Sequence, residues 1–335
     1  MTTSQNILVT GGGGFLGFAI VRRLVARGDR VTSLSRNRYP ALEEIGVHQI
    51  QADLDDTDAV NSACEGKDVV FHVAAKAGVW GAYEDYYRAN ILGTRHVLEG
   101  CRYAHVPRLI YTSSPSVVFD GGNMDGVDET VPYPETFHAP YPATKAMAEK
   151  EVRAAGKKDL GTICLRPHLI WGPRDNHLVP RIIARAKKLK RVGKGGNLVD
   201  TIYIDNAAEA HVLAADRLEQ SDELSGRVYF ISQDDPMPVW DMVDRILEAG
   251  GKDPVRRSVP YPAAWTSGLV LETIYRLFRL TGEPRMTRFV ARELATSHWF
   301  DISAAKQDLG YQPTISTEEG LRRLAVWLSG RNDPG

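Results

Sequence analysis

The sequence predicts an α/β fold, a doubly wound parallel sheet followed by a smaller C-terminal domain. Three observations carry this. The apolar run Ile7-Leu8-Val9 leads straight into a glycine turn and then a helical pattern. Further short apolar runs, near 30–35, 47–52, 68–75 and 108–114, are separated by stretches long enough for crossover helices. The chain, at 335 residues, is long enough for one large sheet domain and an appendage. The predicted division is 1–175 and 176–335, with about 198–232 returning to the first domain.

Ile7, Leu8 and Val9 read as a buried parallel strand. Phe18, Val21, Leu24 and Val25 then recur with helical spacing, and Gly28 sits where a helix ends. Between strand and helix, Gly11, Gly14 and Gly17 are spaced G-x-x-G-x-x-G. Gly11 permits a tight turn, Gly14 lets backbone amides approach a pyrophosphate, and Gly17 lets the helix lie close to the sheet. A bare glycine triplet also occurs in flexible loops; its place between this strand and this helix points to a dinucleotide. Gly11, Gly14, Phe15, Leu16 and Gly17 are the expected cradle.

The second strand, Arg30–Ser35, should end at the adenosine ribose. An acidic residue there would hold both ribose hydroxyls and repel a 2′-phosphate. The sequence has Ser35 and Arg36 instead, with Arg38 nearby. A hydroxyl and a guanidinium suit a phosphate, so NADP(H) is favoured over NAD(H), although a solvated Arg36 would look the same in sequence. A third strand, Val47–Ala52, brings Asp53 and Leu54 to the adenine edge. A fourth, Asp68–Ala75, ends in Ala74 and Ala75, small enough for the cofactor to pass. The loop beyond it carries Lys76 and Trp80; Trp80 reads either as a substrate wall or as plain packing.

Residues 84–104 read as a long helix with Asn90 on its buried face, either hydrogen-bonded locally or holding a water. The fifth strand, Arg108–Ser114, ends in hydroxyls. Tyr141-Pro142-Ala143-Thr144-Lys145 then opens a helix, with Tyr141 and Lys145 on one face. A tyrosine is a weak acid near pKa 10, and a neighbouring ammonium should bring it toward working pH. A hydroxyl from the fifth strand would polarise a carbonyl beside it.

These residues together resemble the extended short-chain dehydrogenases/reductases. The resemblance rests on Thr10-Gly11-Gly12-x-Gly14-Phe15-x-Gly17, His72-x-Ala74-Ala75, Tyr111-Thr112-Ser113-Ser114, Tyr141-Pro142-x-Thr144-Lys145 and Arg166-Pro167, and runs along nearly the whole chain. It implies a Rossmann-type first domain and the catalytic set Ser114, Tyr141 and Lys145. It also implies cofactor contacts from Thr112, Asn90, Lys76, Pro167 and Leu169. Within this superfamily, 165–180 and 197–206 look like the 3β-hydroxysteroid dehydrogenase branch. The stretches 74–81, 282–289 and 298–303 look most like the 2-alkyl-3-oxoalkanoate reductases of bacterial long-chain olefin synthesis. Sterol-4α-carboxylate 3-dehydrogenases are the neighbouring group. The substrate implied is a long-chain or steroid-like apolar acid, with Trp80, Ser114, His168, Asn176 and His177 as expected contacts. Lys76, Arg174 and His177 are candidates for its carboxylate. A sugar-nucleotide epimerase, or a non-catalytic NADP(H)-binding protein, is a weaker fit: the end of the second strand is not acidic, and Tyr141 and Lys145 are both present.

Net charge is −1, from 41 basic and 42 acidic residues, which excludes a dedicated polyanion binder and leaves no nucleic-acid partner to expect. Cys64, Cys101 and Cys164 are far apart in apolar surroundings, with no metal-binding spacing, and read as reduced cytoplasmic thiols. Residues 1–5 lack the features of a secretory leader, and no apolar run reaches spanning length. Arg181 to Lys194 is a basic run, either a solvated face or an attractor of anions. The apolar stripe at 263–280 is wider than a surface helix needs, and reads as core, as a lid, or as a membrane or partner surface. A homodimer built on helices 84–104 and 141–157 is also expected from the resemblance.

Overall fold

The computed structural model describes residues 4–330. Residues 1–3, part of the stretch scanned for a leader, lie outside them. Seven parallel strands form the central sheet: β1 Asn6–Thr10, β2 Arg30–Ser35, β3 His48–Gln51, β4 Val69–His72, β5 Arg108–Thr112, β6 Gly161–Pro167 and β7 Arg227–Ile231. Their spatial order is β7-β6-β5-β4-β1-β2-β3. The register pairs Ile7 with Val31 on one side and with Val69 on the other. The strand order reverses at β1, so a crevice opens outside the carboxyl ends of β1 and β4, where ligands bind in such sheets.

Alternation along the strands sorts the two faces. Ile7, Val9 and Ile110 pack to one side, and Leu8, Val70 and Leu109 to the other. The first face is covered by α1 (Phe15–Arg27), which ends at Gly28 in the left-handed conformation, φ 94°. The second is covered by α2 (Gly93–Tyr103) and α3 (Pro140–Ala155). Before α2, the predicted helix is interrupted: Tyr83–Tyr86 is α-helical and Tyr87–Leu92 is π-helical. The three cysteines are buried and free.

Beyond β6, α4 (Leu178–Arg185) starts where Asp175 accepts hydrogen bonds from the His177, Leu178 and Val179 amides. Helix α5 (Ile204–Gln220) lies on α1, tied by Arg23–Glu209 and by Arg27–Asp216 at 2.6 Å, and leads into β7 on the sheet's outer edge. A smaller four-stranded sheet joins Met124–Val127 to His298–Phe300, Leu198–Val199 and Met237–Pro238.

Of the three readings of the 263–280 stripe, helix α6 (Tyr261–Leu277) does not take the core one. Its buried residues are Ala264, Gly268 and Glu272. Gly268 lies so close to α7 (Arg288–Glu293) that a Cβ would meet the Thr287–Arg288 backbone at 2.7 Å. Glu272 receives the Arg288 backbone N–H at 2.7 Å and its guanidinium at 2.8 Å. The large apolar side chains instead face outward: Val270, Ile274, Leu277, Phe278 and Leu280 are exposed. No helix among the described residues is long and apolar enough to cross a membrane.

Candidate active site

The glycine turn has the shape its spacing implies. Gly11 has φ 71°, and a Cβ there would meet the Ala74 backbone at 3.0 Å. A Cβ on Gly17 would stand 2.2 Å from the Gly11 carbonyl, so only glycine lets α1 approach this closely. Gly14 caps α1 without a side-chain bond, which leaves the amides at the head of a 13-residue helix available to an anion. Phe15 and Leu16 form the first helical positions, Leu16 buried. This cradle fits a dinucleotide pyrophosphate.

A buried hydrogen-bond chain locks the turn to β4. The Thr10 hydroxyl accepts from the Val73 and Ala74 amides at 3.2 Å and donates to His72 Nδ1 at 2.8 Å. His72 Nε2 then donates to Thr94 Oγ1 at 3.0 Å, which donates to the Asn90 carbonyl at 2.6 Å. The network thus assigns a neutral His72, and burial pushes its pKa down to about 3. In the π-helical turn, the Asn90 side chain accepts from the Lys76 N–H at 2.7 Å and donates to the Lys76 carbonyl and to Thr144 Oγ1. Its amide is therefore spent on shaping the loop; it holds the wall rather than touching a ligand.

At the ribose end, Ser35 is half-buried and Arg36 exposed. Leu54 departs from expectation: its side chain is buried against Gly93, so Asp53 is the exposed member of the pair. Ala74 is half-buried and Ala75 exposed, just beyond β4.

Ser114 and Tyr141 line the same chamber, near enough for the Ser114 hydroxyl to temper the Tyr141 phenol, and Ser114 Oγ lies 2.9 Å from Ser116 Oγ. That chamber, of about 350 Å³, is also lined by Trp80, Pro167, His168, Leu169 and His177. Leu169 has φ 45°, a conformation rare for its type, and is exposed. Asn176 corrects the expectation: it is exposed and outside the chamber lining. Lys76 lines the chamber, but its ammonium pairs with Asp85 at 2.7 Å. Arg174 stacks over Phe18 on α1 at 4.1 Å and does not line the chamber.

Lys145 differs most from expectation. Its Nζ donates to the Thr112 carbonyl at 2.6 Å and lies over the Tyr111 ring at 4.1 Å. The Thr112 hydroxyl is taken by His211 at 2.9 Å. Burial dominates both partners of the expected pair: it pushes Tyr141 up to about 12 and Lys145 down to about 7. In this state the phenol is not acidified by the ammonium. It is a firmly held proton donor.

One buried pair and one half-buried carboxyl escaped the sequence reading. Glu149 and Arg166 form an ion pair at 2.6 Å in the core, with the Tyr133 hydroxyl donating to Glu149 at 2.6 Å. Glu293, at the end of α7, lines the chamber with Phe289 one turn before it. No period or motif marks an isolated glutamate as facing a cavity; only the fold places it.

The glycine cradle beside a serine–tyrosine pair, at the switch point of a doubly wound sheet, defines a nicotinamide-dependent oxidoreductase acting on a hydroxyl or carbonyl. The chain belongs to the 3-beta hydroxysteroid dehydrogenase/isomerase family, whose model matches residues 8–261. It is 49% identical over 325 residues to the 2-alkyl-3-oxoalkanoate reductase of Stenotrophomonas maltophilia, covering 96% of this chain and 98% of that one. It is 50% identical to the enzyme of the same name from Shewanella oneidensis, covering 97% of this chain and 86% of that one. The sterol-4-alpha-carboxylate 3-dehydrogenase, decarboxylating, of Candida albicans is more distant, at 34% over 97% of this chain and 98% of its own length. Among solved structures, the Thermus thermophilus UDP-glucose 4-epimerase in complex with NAD superposes with a TM-score of 0.75 at 25% identity, over 98% of this chain and all of that one.

Proposed function

We propose that the protein reduces the 3-oxo group of a 2-alkyl-3-oxoalkanoate, with NADPH as the preferred donor. The observation that carries this reading is the Ser114–Tyr141 pair set in a chamber that widens into a long groove. The chamber shares Val79, Trp80, Glu283 and Phe289 with a neighbouring cavity of about 960 Å³ under α6. Trp80 meets Tyr275 of α6 edge-on at 6.2 Å, which makes it a shared wall. A branched substrate with two alkyl chains needs this second space.

The nicotinamide, when bound, supplies the hydride. Ser114 Oγ donates a hydrogen bond to the substrate's C3 oxygen, and Tyr141 Oη delivers the proton to it. With its pKa near 12, Tyr141 stays protonated throughout the neutral range, which suits reduction. Lys145, released from Thr112, holds the ribose. NADPH is supported by Arg36 and Arg38, which are exposed, bear no ion pair among the described residues and flank the end of β2. Residues 1–175 with 198–232 make the nucleotide-binding unit, and the rest makes the substrate unit.

The exposed apolar residues of α6 and the turn after it lie among Arg276, Arg279 and Arg285, a composition that suits an anionic lipid surface. Homodimerisation is assigned to α2 and α3 with the helical turn before α2, where Tyr83, Met147 and Tyr103 are exposed on adjoining helices.

The test is NADPH and NADH oxidation at 340 nm with a two-chain 2-alkyl-3-oxo acid, beside NADP+ and NAD+ reduction at 340 nm with a 3-hydroxy-4-carboxysterol. Turnover of the acyclic acid with NADPH preferred is expected. Tyr141→Phe should lower kcat by about 10²–10⁴-fold while leaving NADPH affinity within a few-fold. Sterol turnover alone would overturn the substrate reading.

A further inference from the structure

A 3-oxo acid brings a carboxylate into the chamber within a few bonds of the reacting carbonyl, yet among the described residues each lysine and arginine of the lining is already paired. Lys76 is paired with Asp85, and Arg181 with Glu283. On α7 itself, Arg288 is held by Glu272, and Arg292 lies 2.7 Å from His138. Of the three histidines lining the chamber, His177 is exposed, and the other two are neutral: burial lowers His168 to about 3 and His298 to about 4.

Glu293 is the polar group left over. Its half-buried side chain lines the chamber with Phe289, close enough to Tyr141 for its charge to be felt at the phenol, and makes no hydrogen bond or ion pair among the described residues. An unpaired carboxyl among Phe119, Met124, Phe289 and Phe300 is costly as an anion and much less so as an acid. A carboxylic acid has one O–H to donate.

We propose that Glu293, as a neutral carboxylic acid, binds the substrate's carboxylate by donating a hydrogen bond to it, and so selects 3-oxo acids over their neutral counterparts. This rests on the reductase reading above. Burial raises the Glu293 carboxyl to about 8, so the donor is present at neutral pH and is lost above it. Once ionised, Glu293 repels the substrate. Tyr141 titrates near 12, and His168 and His298 far below the window; Lys145 behind Tyr141 falls to about 7, and Lys76, His177, Arg181 and Glu283 also line the chamber, so the comparison with Glu293→Gln, which leaves all of these in place, isolates the Glu293 carboxyl.

The experiment compares a 2-alkyl-3-oxo acid with its methyl ester, using the NADPH-loaded wild-type enzyme, Glu293→Ala and Glu293→Gln. Glu293→Ala should raise KM for the acid about tenfold or more while KM for the ester moves less than threefold, and Glu293→Gln, which keeps a donor, should restore the acid KM. Wild-type KM for the acid should climb between pH 7.5 and 9, and the climb should vanish in Glu293→Gln. Equal effects on acid and ester, or a wild-type KM for the acid that is flat across that range, would overturn the assignment. Failure of the wild-type enzyme to reduce the acid at all would instead overturn the reductase reading on which it rests.

Discussion

Glu293 and Lys145 carry opposite strains. The folded protein keeps a proton on Glu293 that the unfolded chain releases from about pH 4.5 upward, because the folded pKa is raised to about 8. Stability from this group is fully present below its unfolded pKa and is lost as pH rises through 8. Lys145 runs the other way: its folded pKa, about 7, lies below the usual 10.5, so its burial weighs most below pH 7 and its penalty fades as pH rises toward 10.5. Glu293→Gln changes only the first of these. Thermal unfolding of the two proteins should therefore nearly coincide at pH 5, with the variant more stable by on the order of 1–3 kcal/mol at pH 8.5. A variant equally stabilised at both pH values would contradict the burial argument. The contrast also shows what a sequence can and cannot reveal at this scale. Tyr141 and Lys145 were legible because i, i+4 spacing on a helix forces them onto one face. Where Lys145 points was not legible, since the Thr112 carbonyl that captures it comes from another strand.

At the scale of elements, strands and glycine turns were the most legible. A fully buried parallel strand leaves an unbroken apolar run: β1 shows it in Ile7-Leu8-Val9, all fully buried, whereas β2 occupies Arg30–Ser35 as expected with only Val31 and Leu34 apolar among its buried residues. For helix α6 the pattern leaves core, lid and surface readings open, and only the packing separates them. The helix packs through small residues and one buried ion-paired glutamate, leaving Val270, Ile274, Leu277 and, just beyond it, Phe278 exposed. Close approach through Gly268 costs little apolar area and frees the large side chains for another contact. Leu277→Glu with Phe278→Glu should abolish co-sedimentation with anionic phospholipid vesicles and leave turnover of a short-chain, water-soluble 3-oxo acid within about twofold. Neutral vesicles should bind the wild-type protein more weakly, and added salt should weaken binding to the anionic ones. Undiminished sedimentation of the double variant would remove the helix from any membrane role.

For the whole molecule, the helices that cover one face of the sheet also present the side chains assigned to the dimer. Tyr83 donates to Met147 Sδ at 3.6 Å, and Arg95 meets Glu151 at 2.7 Å, so the two helices form one rigid platform. Met147→Asp should shift the protein toward monomer in sedimentation velocity, with a charge placed at the centre of the contact. An unchanged profile would locate any dimer elsewhere. The sheet has a consequence for biosynthesis as well. An interior strand, β1, emerges first, but the outer strand, β7, is completed only at Ile231. At roughly 5–20 residues per second, β6 waits several seconds on the ribosome with one edge open before β7 arrives. During that interval Ile163, Cys164 and Leu165, fully buried in the finished protein, offer an apolar edge to any neighbouring nascent chain. Chains released before residue 227 should therefore aggregate through β6, which makes trigger-type chaperones and translation speed, rather than final stability, the controls on yield.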